Sequence, residues 1–246
     1  MKTEVIYGFH PVFEALKAAR RKIFNIQIAG DKPSERLEKV AALAASLKVD
    51  VDLVKTSRLN QLAGTVQHQG VGATVSLFPL ADIGYIVDKR RSAHQNQLMV
   101  LLDSILDPQN LGAIIRTAVG VGVNAVVIPK NRSASPTPSV SKASAGALEH
   151  VNMARVTNMV TAIKMLKAKG IWIFGLDRAA DVSMYSVDLT GPVAVVIGGE
   201  EKGIRPLVKQ HCDSLVSIPQ RGPVNSLNAS AAAAVVMYEI LRQRKH

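Results

Sequence analysis

The stretch Leu98-Met99-Val100-Leu101-Leu102-Asp103 decides the fold. Successive strand side chains point to opposite faces, so a half-exposed strand alternates apolar and polar residues. An unbroken apolar run leaves no face for water and needs cover on both sides, as in a parallel sheet between helices. Similar runs recur at 125–128, 171–176, 193–197 and 215–218, and helical periodicities separate them near 110–121, 139–149, 158–169, 204–212 and 226–244. Strand and helix in alternation predict an α/β domain built on a parallel sheet over 98–246.

Upstream, strand patterns at 4–8, 23–29, 51–54 and 71–77 alternate with helical ones at 10–20, 34–48 and 57–62. Val12, Ala15, Leu16 and Ala19 share one helical face, and Ser34 stands where a helix cap belongs. These predict a second, compact α/β domain over 1–77. Between the two, Pro79 breaks the strand pattern and 88–97 is almost wholly polar, so 78–97 reads as a linker.

The chain of 246 residues is 48% hydrophobic and 20% charged, enough apolar content for real cores. Its net charge of +11 is shared: 1–97 carries 14 basic and 9 acidic groups, and 98–246 carries 16 and 10. An excess spread over both domains suits a polyanionic partner, because each cation set against a phosphate releases counterions. Aromatic residues make up only 4%, which disfavours broad base-stacking platforms. With one cysteine, Cys212, no disulfide forms within the chain. No apolar run nears the ~20 residues a membrane helix needs, and the N-terminus lacks a signal-peptide core. The expectation is a cytoplasmic protein with no membrane partner.

Ligands of parallel α/β sheets collect beyond the carboxyl ends of the strands. Three loops there carry polar groups. In the first, 107–117, Leu111, Ile114, Ile115, Ala118 and Val119 fall on one helical face, while Asn110 and Arg116 lie off it. Asn110 is either a helix cap or a ligand contact, and Arg116 either solvated or functional. The second is Gly198-Gly199-Glu200-Glu201-Lys202-Gly203, where a carboxylate sits among glycines that allow close backbone approach. The third, 218–230, is stiffened by Pro219, Gly222 and Pro223 and delivers Ser226 and Asn228 to an Ala-rich C-terminal helix.

In this order and spacing the loops resemble the three motifs of the SpoU (TrmH-like) branch of the SPOUT, or trefoil-knot, methyltransferases. Ile6-Tyr7-Gly8-Phe9-His10-Pro11-Val12 is similar to the start of that family's RNA substrate-binding domain. The resemblance covers nearly the whole chain. It implies transfer of a methyl group from S-adenosylmethionine to a ribose 2′-hydroxyl, with a guanosine of 23S rRNA as the favoured acceptor. It also implies a deep trefoil knot in the C-terminal domain, a homodimer whose active site draws on both subunits, and no DNA partner. Carried over by motif position, the catalytic residues are Asn110, Arg116, Glu200, Ser226 and Asn228. Leu176, Gly198, Gly203, Ile218 and Leu227 are the expected cofactor contacts. Arg116 is expected on an RNA phosphate and the hydroxyl rather than as a base, since guanidinium stays protonated up to at least about pH 12. Lys17, Arg20, Arg21, Lys22 and Arg58 are expected phosphate contacts of the first domain. Lys130, Arg132 and Lys142 are expected beside a loop of the second.

Other motifs lead elsewhere and lack context. Gly120-Val121-Gly122-Val123-Asn124-Ala125 fits the dinucleotide pattern but closes a helix instead of opening one. Ser139-Val140-Ser141-Lys142 has none of the companion motifs of a penicillin-binding enzyme. The six histidines show no metal-ligand spacing, so no metal is expected. The same chemistry on tRNA, or a non-catalytic RNA-binding role, are the alternatives.

Overall fold

The computed structural model describes residues 2–30, 34–92, 96–223 and 226–245. Their contacts divide into two units: 1–79 with 136–150, and 80–135 with 151–246.

In the first unit the elements run β1 (Thr3–Tyr7), α1 (Phe9–Ala18), β2 (Ile23–Ala29), α2 (Glu35–Ser46), β3 (Val51–Val54), α3 (Thr56–Ala63) and β4 (Val71–Ser76). The sheet order is β1-β4-β2-β3, with only β2 and β3 parallel. Its core joins Ile6, Ile26, Ile28, Ala73 and Val75 to Val12, Leu16 and Val40 from the helices. Burying each Ile, Leu or Val side chain among these contributes roughly 1.5–3 kcal/mol.

The second unit begins with α4 (Ile83–Ser92), where a linker was expected. Ile86 and Val87 are buried with Ile83 packed beside them, while Asp88 and Lys89 are exposed. Three apolar residues at helical spacing suffice when a sheet stands ready to cover them. There follow β5 (Leu98–Asp103), α5 (Pro108–Gly120) and β6 (Ala125–Pro129). Next come α6 (Pro138–Ala143) and a 3-10 turn over Ala147–His150, both in the first unit despite the expected boundary at residue 98. The second unit resumes with β7 (Met153–Val156), α7 (Met159–Ala168), β8 (Trp172–Leu176), β9 (Val193–Gly198), α8 (Pro206–Lys209), β10 (Ser214–Val216) and α9 (Ala229–Arg244).

The second sheet is parallel throughout, in the order β10-β8-β9-β5-β6-β7. Every residue of β5 is buried, as its composition requires. Met99 and Leu101 pack with Ile163 and Leu166 of α7, while α5 and α9 pack on each other and α9 on β9. The chain leaves β5 toward β6 and later returns to place β9 on the opposite flank of β5. The carboxyl ends of β5 and β9 therefore form the point where strand order reverses, the usual ligand crevice of open α/β sheets.

Candidate active site

At that crevice Gly199 N donates to Asp103 O at 2.9 Å, joining the loops that follow β5 and β9. The 199–203 turn is closed by Gly203 N donating to Gly199 O at 2.9 Å. A Cβ on Gly198 would lie 2.0 Å from the Gly203 carbonyl carbon, and one on Gly199 would lie 2.5 Å from Ser104 O. Only glycine lets these backbones touch. Beneath them the fully buried Asp103 accepts from Arg205 N at 2.9 Å and Arg205 Nε at 2.8 Å. A buried carboxylate needs such donors, and here they also fix the exit of the turn.

The turn holds Glu200 where two amides reach it. Asn110 Nδ2 donates to Glu200 Oε1 at 2.6 Å, and Asn228 Nδ2 donates to the same oxygen at 2.7 Å. Asn228 Nδ2 also lies 3.0 Å from Asn110 Oδ1, closing the triangle. Asn110 is free for this because Asp107 caps α5, accepting from Gln109 N and Asn110 N. Asn228 makes two contacts at once. Its Oδ1 caps α9 by accepting from Ser230 N at 2.8 Å, which turns its Nδ2 toward Glu200. The cap thus settles the amide's orientation, which ordinarily has to be assigned.

Two cavities share the 199–203 turn as their wall. One, of about 360 Å³, is lined by Leu176, Gly198, Gly203, Ile218, Ser226 and Leu227 among others, so all five expected cofactor contacts meet there with Ser226. The other, of about 550 Å³, is lined by Ser104, Leu106, Asn110, Arg132 and Arg205. Glu200 lines both. Residues 224 and 225 of the third loop lie outside the described residues. Arg116 does not join the triangle. It is exposed on α5 without a hydrogen bond or ion pair to another described residue, six residues from Asn110 and so ~9 Å further along the axis.

Models of two families match the chain, the SpoU rRNA Methylase family over residues 97–238 and "RNA 2′-O ribose methyltransferase substrate binding" over 5–80. The chain belongs to the SpoU rRNA methylase family. Among its SpoU relatives, the 23S rRNA (guanosine-2′-O-)-methyltransferase RlmB of Xanthomonas campestris is 38% identical, over 97% of this chain and 96% of its own. RlmB of Coxiella burnetii is 37% identical, over 99% and 97%. The SpoU methyltransferase AviRb of Streptomyces viridochromogenes, solved in complex with AdoMet, superposes with a TM-score of 0.83 at 25% identity, covering 98% of this chain and 90% of that one.

The SpoU motifs did not predict everything that builds the site. Asp107 and Asp103 were overlooked, although an Asp-Pro pair before an apolar helix is a cap signal. Arg21, an expected phosphate contact, is withdrawn from solvent. Its side chain is fully buried, pairs with Glu4, and sets Nε 2.7 Å from Glu149 Oε2 and Nη2 3.0 Å from Glu149 Oε1. Lys17 lies 3.7 Å from Glu14, and Arg20 sits over the Phe78 ring. Lys142 is on a helix of the first unit rather than beside a loop of the second. Among the described residues no cluster of His, Cys, Asp and Glu could hold a metal ion, and no helix is long and apolar enough to cross a membrane.

Proposed function

We propose that the protein transfers a methyl group from S-adenosylmethionine to the ribose 2′-hydroxyl of a guanosine in 23S rRNA. The observation that carries this reading is Glu200, fixed by two amides on the wall between two cavities. Transfer between two bound groups needs adjoining sites, so that across the edge both cavities share the acceptor oxygen can reach the methyl in line with its bond to sulfur. The smaller cavity fits the cofactor. Its size falls within the roughly 300–1,000 Å³ of small-molecule sites, Leu176, Ile218 and Leu227 give it apolar walls, and bare backbone at Gly198 offers peptide groups to a ligand. When bound, S-adenosylmethionine supplies an electrophilic methyl on a cationic sulfur.

The chain's own residues then position the acceptor. Glu200 accepts a hydrogen bond from the ribose, and Asn110 and Asn228 keep its carboxylate from turning away. Leu106, 67% exposed, gives the base an apolar surface in the larger cavity, with Arg132 and Arg205 at its polar rim. Ser226 holds the third loop against the cofactor. Arg116 binds a neighbouring phosphodiester and stabilises charge developing on the 2′-oxygen, a task for a permanent cation. Its exposure apart from the triangle fits an active site that draws on two subunits of a homodimer. The trefoil knot in the C-terminal domain and a cytoplasmic location belong to the same reading. The guanosine of 23S rRNA is favoured because relatives matching the full chain carry that name.

Methyl transfer from labelled S-adenosylmethionine tests the proposal, with unmodified 23S rRNA, 16S rRNA and tRNA offered in parallel. Label on a 23S guanosine 2′-oxygen, lost in Arg116→Ala, is the expected result. Label on tRNA alone overturns the acceptor, and absence of cofactor binding overturns the enzyme.

A further inference from the structure

In the first unit, two cations and a histidine are held together at the start of α1. The Arg36 guanidinium lies over the Phe9 ring, 4.0 Å from its centroid, and donates from Nη2 to His10 Nε2 at 2.9 Å. Stacking of this kind gives a long side chain a fixed direction. From the other side Lys142 stretches across Gly8. A Cβ on Gly8 would meet Lys142 Nζ at 2.5 Å and Gln69 Oε1 at 3.1 Å, so the lysine uses space that only glycine leaves open. Gln69 Oε1 is itself anchored, accepting from Phe9 N at 3.2 Å.

Two like charges, Arg36 and Lys142, are gathered here. Burial first and the nearby Arg36 charge second push the Lys142 pKa down, and Lys142 in turn acts on His68. No carboxylate among the described residues pairs with Arg36 or Lys142, whereas Lys39 on the same helix as Arg36 has Glu35 at 3.1 Å. Two cations held near one another repel unless an anion comes between them. Arg36 is exposed and Lys142 half-buried, so an incoming group can reach both.

We infer that Arg36 and Lys142 form a receptor for one phosphodiester of the RNA substrate, with Arg36, steadied by Phe9 and His10, as the planar fork and Lys142 as the point charge. The inference rests on the RNA reading above and assigns the first unit one defined backbone contact. Phosphate contacts set position and register rather than sequence, so the loss falls on affinity and leaves the chemical step alone.

The test measures binding of the full-length protein to unmodified 23S rRNA as salt is varied, with methyl transfer at saturating RNA. Arg36→Gln and Lys142→Met should each weaken binding about 3–10-fold and lower the slope of log K against log salt by about one. Lys142→Arg should keep the slope, and Lys39→Gln should match wild type. S-adenosylmethionine affinity and the saturated rate should stay within about two-fold of wild type for every variant. Unchanged slopes in Arg36→Gln and Lys142→Met, with melting temperatures like wild type, overturn the phosphate site while methyl transfer by wild type keeps the RNA reading. Wild type that neither binds nor methylates RNA overturns both.

Discussion

In the proposed mechanism Asn228 serves stability and chemistry through opposite ends of one amide, and the two roles can be separated. Its Oδ1 caps α9 while its Nδ2 holds Glu200. Asn228→Ser keeps a capping oxygen and loses the reach to Glu200. It should unfold within a few tenths of a kcal/mol of wild type yet lose at least about ten-fold in saturated methyl transfer. Asn228→Ala should lose the same activity and also about 1 kcal/mol of stability. Equal activity in wild type and Asn228→Ser would remove the amide from the mechanism. His68 makes a different residue-scale prediction. Its Nε2 faces Asn60 Oδ1 at 2.7 Å, and its Nδ1 accepts from Gly70 N at 3.0 Å, an arrangement for the neutral ring. Burial, and then the charge on Lys142, hold its pKa below the ordinary histidine value. As pH falls the unfolded chain therefore takes up the proton before the folded one. The stability so gained is present above the unfolded value of about 6.5 and is lost as pH drops through the interval below it. Unfolding free energy should fall on that limb, and the fall should be shallower in His68→Gln, as denaturant titrations at several pH values will register.

Between elements, the first unit has a long-range tie in the pair Arg21 and Glu149, 128 residues apart and both excluded from water. Ser141 Oγ adds a hydrogen bond to Glu149 Oε1 at 3.0 Å. Removing Glu149 leaves the buried Arg21 with Glu4 as its remaining carboxylate partner, so Glu149→Ala should cost about 1.5–3 kcal/mol in chemical denaturation. Arg21→Met with Glu149→Leu should recover most of that loss; a double variant as weak as the single one would mean the packing, not the charge, is at stake. Nothing local in the sequence announces this tie, which is why 136–150 was assigned to the neighbouring domain by chain order. β5 was legible because burial on both faces writes itself into composition. β7 was not: Met153-Ala154-Arg155-Val156 is four residues long, and Arg155 is exposed. α4 was missed because its few apolar residues are followed by a charged run that resembles a linker. At the site, Asn110, Glu200 and Asn228 were legible from their places after strands, since parallel sheets gather those loops. The triangle they form was not, because it depends on Asp107 taking the cap of α5 and on which strands become neighbours.

For the whole molecule, a net charge of +11 shared by both halves suits an RNA partner that touches more than one surface. It leaves open which surfaces cooperate in one active site. Arg116, exposed and apart from the triangle, is the residue on which this turns. If Arg116 completes the active site of the partner subunit, a dimer joining Arg116→Ala to Glu200→Gln contains one site with both intact residues. The other site lacks both. Since a two-fold dimer forms heterodimers as half of a random mixture, co-expression of the two inactive variants should restore about a quarter of wild-type methyl transfer. If Arg116 serves the site of its own chain, every site in every dimer carries a lesion, and co-expression restores nothing. The comparison needs equal amounts of the two variants, verified by tags, and the same RNA as the wild-type assay. Recovery would place the catalytic unit at the dimer, so that dilution below the dimer dissociation constant abolishes activity even with S-adenosylmethionine and RNA saturating.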